Sequence, residues 1–112
     1  MNKTELKEIL KQYYKIQIQY IYLNENTTIH TDKLKQNQQT YEIINDALSI
    51  LNEKELFLIQ YHLIEHHTWK ETDLFIAKVY GDFYRRSDRT LKRKQNIALE
   101  KMIDFVNEVY LI

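Results

Sequence analysis

A chain without proline and with a single glycine, Gly81, is nearly devoid of the two residues on which tight turns between β-strands most depend. Apolar residues at helical spacing recur along its whole length instead. The expected fold is therefore all-α, with about five helices. At 112 residues the chain forms one domain, or one domain with a helical extension, and buries a modest core.

The first helix is expected over residues 4–23. Ile9, Tyr13, Ile16, Tyr20 and Leu23 share one stripe, and Leu6, Leu10, Ile18, Ile21 and Tyr22 broaden it. Such a width suits packing on the domain, with part of the stripe left for a second subunit or a partner. Asn24 to His30 is a polar break. A second helix is expected after Thr31, with Asp32 near its start and Leu34, Tyr41, Ile44, Leu48 and Leu51 on its buried face.

Asn52 and Glu55 have the spacing of a capping box, which predicts a third helix over about 53 to 66 with Leu56, Phe57, Ile59, Leu63 and Ile64 apolar. Thr68 and Glu71 repeat that device and open a fourth helix. Trp69, Thr72, Ile76 and Val79 lie on one of its faces, and Gly81 is its natural stop. Ser87 then caps a long final helix from 88 to about 110, basic in its first half and apolar nearly all round in its second. Residues 1–51 thus read as an N-terminal helical region for core packing, dimer or partner contact, and residues 52–112 as the functional half.

Charge singles out the start of the final helix. Formal net charge is zero, yet all four arginines fall between Arg85 and Arg93. The ten residues from Arg85 to Lys94 hold six cations against Asp88 alone, and residues 1–83 carry nine positive against twelve negative side chains. A basic patch on a neutral protein is a localised footprint for a polyanion. At about 100° per residue, Arg89, Lys92, Arg93 and Asn96 share one face, opposite Leu91, Ala98, Met102, Phe105 and Val109. Arginine reads guanine bidentately and asparagine reads adenine in the major groove. Arg85, Arg86, Ser87 and Lys94 are expected to clamp phosphates, where a helix N-terminus also favours an anion. Double-stranded DNA is the expected partner.

The run from Leu51 to Val106 resembles the sigma-region-4-like helix-turn-helix proteins, and within them the ArpU/RinA/LtrC-type regulators of phage late transcription. The residues that carry this are Leu51-Asn52-Glu53-Lys54-Glu55, Thr68-Trp69-Lys70-Glu71 with Ile76-Ala77, and Ser87-Asp88-Arg89-Thr90-Leu91-Lys92-Arg93 followed by Ala98-Leu99. The resemblance implies an N-terminal helical pair, a helix-turn-helix with a long final helix, and a non-enzymatic activator that binds a promoter near host RNA polymerase or another phage regulator. It further implies DNA contact by Ser87, Arg89, Thr90, Lys92 and Arg93, with Trp69 and Lys70 near the backbone. One departure stands out. Tyr80 to Ser87 is longer than the three or four residues usual in this motif, so either the fourth helix runs past Gly81 or the turn is enlarged.

Other chemistries have little to stand on. Cysteine is absent, which excludes disulfides and cysteine-ligated zinc. His62 and His66 are one helical turn apart, but two imidazoles fall short of a zinc site. Glycine-rich phosphate loops and nucleophile elbows are missing, so neither enzyme activity nor a cofactor is expected. No run approaches the roughly 20 apolar residues of a membrane span, and Met1 to Glu5 lacks the apolar core of a signal peptide, so a bacterial cytoplasmic location is expected. Two other readings fit the same helices: a protein-interaction module binding a regulator or polymerase, and a DNA-packaging recognition subunit. The apolar surface on the first and last helices predicts a homodimer.

Overall fold

A computed structural model describes residues 1–25 and 32–110 of the chain, with no side-chain detail for 23–25, 32–34 and 37. Among the described residues the fold is all-α, built from six α-helices with a π turn and a 3-10 turn between them. The helices are α1 (Lys3–Lys11), α2 (Tyr13–Glu25), α3 (Asp32–Ser49), α4 (Glu53–Leu58), α5 (Trp69–Tyr80) and α6 (Asp88–Val109). No described helix is long and apolar enough to cross a membrane.

The helix expected over 4–23 is in fact two. The Gln12 N–H bonds the Ile9 carbonyl at 3.0 Å, which tightens the last turn of α1, and α2 starts afresh at Tyr13. Packing explains the break. Leu6 and Leu10 of α1 are fully buried in the main core with residues of α6, whereas α2 lies along α3. There the Tyr13 hydroxyl donates to Asn45 Oδ1 at 2.6 Å and the Tyr20 and Tyr41 rings lie 4.5 Å apart. One straight helix would have to serve both surfaces. Ile16 is buried and Ile9, Tyr13 and Tyr20 half-buried, as the stripe predicts, but Ile18 is 66% exposed. The side chains of Leu23 and Leu34 and the loop residues Asn26 to His30 lie outside what is described; Asn24 and Glu25 belong to α2.

Both capping boxes form. Asn52 Oδ1 accepts the Glu55 N–H at 2.9 Å, and Glu55 Oε1 accepts the Asn52 N–H at 3.0 Å. Thr68 and Glu71 exchange the same pair of bonds at 3.1 Å each. α4 is α-helical only to Leu58; Ile59–Ile64 continues it as a π turn, and the helix ends short of the expected 66. His66 closes it in the left-handed region at φ 61°, a conformation that His adopts more readily than most side chains.

Two hydrophobic clusters hold the helices together. The larger joins Leu6 and Leu10 to Ile44, Ala47 and Leu48 of α3, to Ile59, Leu63 and Ile64 of the π turn, and to Ala98, Leu99, Met102 and Val106 of α6. The 1–51 and 52–112 regions therefore share one core. The smaller cluster packs Leu58, Ile76 and Leu91, with Phe57, Trp69 and Tyr80 around them, and seats the start of α6 on α4 and α5. Each buried aliphatic side chain of this kind contributes about 1.5–3 kcal/mol.

Two expectations about the later helices need correction. Val79 is 51% exposed and does not share the buried face of Thr72 and Ile76. The second half of α6 is not covered all round: Leu91, Gln95, Ala98, Leu99, Met102 and Val106 form one buried stripe, while Ile97 and Val109 face solvent. Gln95, a polar residue inside that stripe, went unanticipated.

Candidate nucleic-acid interface

The connection before α6 is an enlarged turn rather than a prolonged helix. Gly81 stops α5 at φ 102°, a conformation L side chains rarely adopt, with its N–H still bonded to the Ala77 carbonyl at 2.9 Å. Asp82–Tyr84 then makes one 3-10 turn. Asp73 fastens the far end: its Oδ1 accepts the Arg86 N–H at 2.9 Å and its Oδ2 accepts Arg85 Nε at 3.1 Å. Ser87 Oγ caps α6 by accepting the Thr90 N–H at 3.3 Å and donates to Thr90 Oγ1 at 3.1 Å.

From this anchor the basic side chains divide among three faces. Arg89 and Arg93, one turn apart on the outermost ridge of α6, are exposed and make no hydrogen bond or ion pair with any described residue. Asn96 continues that ridge. Beyond it the sign changes, because Glu100 and Asp104 follow on the same face and Glu100 pairs with Lys3 at 3.3 Å. The cationic ridge is therefore confined to the first two to three turns, about 12–15 Å of helix.

On one flank, Lys94 meets Arg86 and, from α4, Lys54. Burial, followed by repulsion from Arg86, Lys54 and Arg93, holds the Lys94 ammonium below its ordinary pKa. Like charges gathered this way are costly unless an anion joins them. Arg86 is also tied down, donating through Nη1 to the Phe83 and Arg85 carbonyls at 2.7 Å each. The neighbouring Phe83 is 82% exposed, with the Arg86 guanidinium 5.9 Å from its ring centre.

On the other flank, Lys92, Gln95 and Asn96 face a groove shared with Lys7 and Lys11 of α1 and with His62 and Trp69. Trp69 packs against the smaller core cluster, its ring 3.6 Å from that of His62, while Lys70 is exposed on α5. The His62 Nδ1–H donates to the His67 carbonyl at 3.1 Å, since a carbonyl oxygen only accepts, which leaves Nε2 as the lone-pair nitrogen. Burial, then the nearby Lys7, His67 and Lys11, push His62 down to about 4. His66 also lines the groove, its Nε2–H donating to the Lys11 carbonyl at 2.9 Å.

The fold thus brings Arg89, Lys92, Arg93, Lys94 and Asn96 onto one end of α6. Arg85 and Arg86 are absorbed largely into the turn, Ser87 and Thr90 into the cap, and Trp69 into packing. Lys7, Lys11, Lys54 and Phe83 join this surface without having been anticipated. Only the spacing of Lys7 and Lys11, four residues apart, hinted at a common face. Comparison with protein-family models, with curated proteins and with solved structures finds no match to this chain.

Proposed function

We propose that the chain is a sequence-specific DNA-binding regulator of transcription, with the first turns of α6 entering the major groove. The observation that carries this is the pair Arg89 and Arg93, exposed and without partners among the described residues, on a helix whose opposite side is core. Arg89, Lys92, Arg93 and Lys94 repel one another in isolation, and a polyanion turns that repulsion into attraction. Arg89, Arg93 and Asn96 are the proposed base readers. Lys92 and Lys94 are backbone contacts on either side, and Ser87, Thr90 and Lys70 are candidates for phosphate contact. The finer reading, an activator of phage late genes acting near host RNA polymerase, rests on the resemblance of residues 51–106 alone.

Homodimerisation belongs to the same proposal. Ile18, Ile21 and Tyr14 expose apolar surface on α2, which a second copy would cover. These side chains also favour a second reading, in which the chain is an interaction module for another regulator or a polymerase.

Selection from a randomised duplex pool, with sequencing of the bound fraction, separates the two. Enrichment of one motif, doubled at a spacing of about 10 base pairs for a dimer, supports the regulator. A pool that stays random, with the protein bound instead to a partner in pull-down, supports the module.

A further inference from the structure

Between α1, the π turn and α6 lies an open groove of about 440 Å³, a size within the range of small-ligand sites. Three ammonium groups line it, Lys7, Lys11 and Lys92, and no carboxylate does. Lys7 and Lys92 have no ion pair with any described residue, and Lys11 has only an exposed one with Glu8 at 3.5 Å. The rest of the lining, His62, His66, His67, Leu63, Trp69, Gln95 and Asn96, carries no negative charge, so the cations are not balanced from within.

The second observation is independent of charge. Gln95 is 3% exposed, forms part of the groove, and its Nε2 has no hydrogen-bond partner among the described residues. A buried donor left unmade is unfavourable, and native structures rarely keep one without a reason. The residue sits in a stripe otherwise made of Leu, Ala, Met and Val, where an apolar side chain would serve packing better. The side chain lines the groove while its Nε2 is covered, so a turn of the carboxamide toward the lysines both satisfies the donor and supplies the directed N–H that an oxyanion takes alongside charge.

We infer that this groove binds a phosphate group, held by Lys7, Lys11 and Lys92, with the Gln95 carboxamide donating to one of its oxygens. Trp69 and His62 form an aromatic wall beside it, against which a planar or sugar portion of a phosphorylated ligand would rest. The phosphate comes either from a nucleic-acid backbone lying along α6 or from a free phosphorylated small molecule. The site stands on its own residues and does not depend on base reading by Arg89 and Arg93.

The test follows the Gln95 side-chain amide by proton–nitrogen NMR while inorganic phosphate is titrated into the full chain, and then separately a DNA duplex. A saturable movement of the Gln95 amide with phosphate is expected. In the double variant Lys7→Gln/Lys11→Gln the affinity should fall by about tenfold or more, the ratio that one charge-assisted hydrogen bond supports. Should that variant lose its helical circular dichroism, Gln95→Met, close in volume and without the donor, replaces it with the same expected loss, read from the indole N–H of Trp69 in the same groove. Movement on adding duplex as well assigns the phosphate to nucleic acid; movement with phosphate alone assigns it to a free ligand. An amide that responds to neither overturns the site, and a duplex that still binds in that case leaves the DNA reading intact.

Discussion

Asp73 holds Arg85 through an ion pair of 3.1 Å, and with its other oxygen holds the backbone of the next residue at 2.9 Å. Asp73 sits in the middle of α5, so this contact ties the body of that helix to the entry of α6. It converts a connection too long for a tight helix-turn-helix into a defined turn. It also removes Arg85 from the set of cations free to meet a ligand.

Asp73→Ala should therefore destabilise the fold by about 1–2 kcal/mol, the net worth of a charge-assisted bond to a half-exposed arginine together with a lost backbone acceptor. Denaturant unfolding measures this. Arg85→Ala should show part of the same loss, with little change in how binding to DNA depends on salt. Arg89→Ala should leave stability within about 0.5 kcal/mol, as for a surface side chain without partners.

Gly81→Ala probes the same turn from its other end. No atom lies within 4 Å of an added Cβ, so steric crowding is not the issue. The backbone is, because φ 102° with ψ 160° falls where glycine alone is comfortable. A cost of about 1–3 kcal/mol is expected in thermal unfolding.

The Asp73 contact also indicates how much could be read from residue order. Cap chemistry is local, and so the helix starts at Asn52, Thr68 and Ser87 and the stop at Gly81 were legible, as was the basic ridge of α6. Packing is not local. Gln12 breaks a continuous apolar stripe only because α1 and α2 bind different surfaces, and Lys7 meets Lys92 only because α1 docks on α6. The π turn at Ile59–Ile64 left no signal, since its residues suit an ordinary helix equally well.

Gln95→Met should raise stability by about 1 kcal/mol, because it removes a buried donor without a partner and keeps the volume of the side chain. Thermal unfolding in phosphate-free buffer checks this. A loss of stability there would mean that the carboxamide serves the fold rather than a ligand.

His62 predicts an acid-sensitive fold. Its pKa falls from an ordinary 6.5 to about 4, so the unfolded chain takes up a proton that the folded chain resists. Stability from this group is complete above pH 6.5, declines as pH falls toward 4, and is gone below that. The loss should be on the order of 2 kcal/mol once partial solvent access is allowed for. His62→Gln should flatten the decline between pH 6.5 and 4 in urea unfolding curves.

The central claim is that the exposed guanidinium groups of Arg89 and Arg93 read DNA. It is tested most directly by titrating a selected duplex into the wild-type chain and into Arg89→Ala and Arg93→Ala at several salt concentrations. The wild-type log affinity should fall linearly with log salt, and each variant should lose about 1–3 kcal/mol of specific binding with its melting temperature unchanged. Equal affinity in all three proteins, or a wild-type affinity indifferent to salt, would contradict the account.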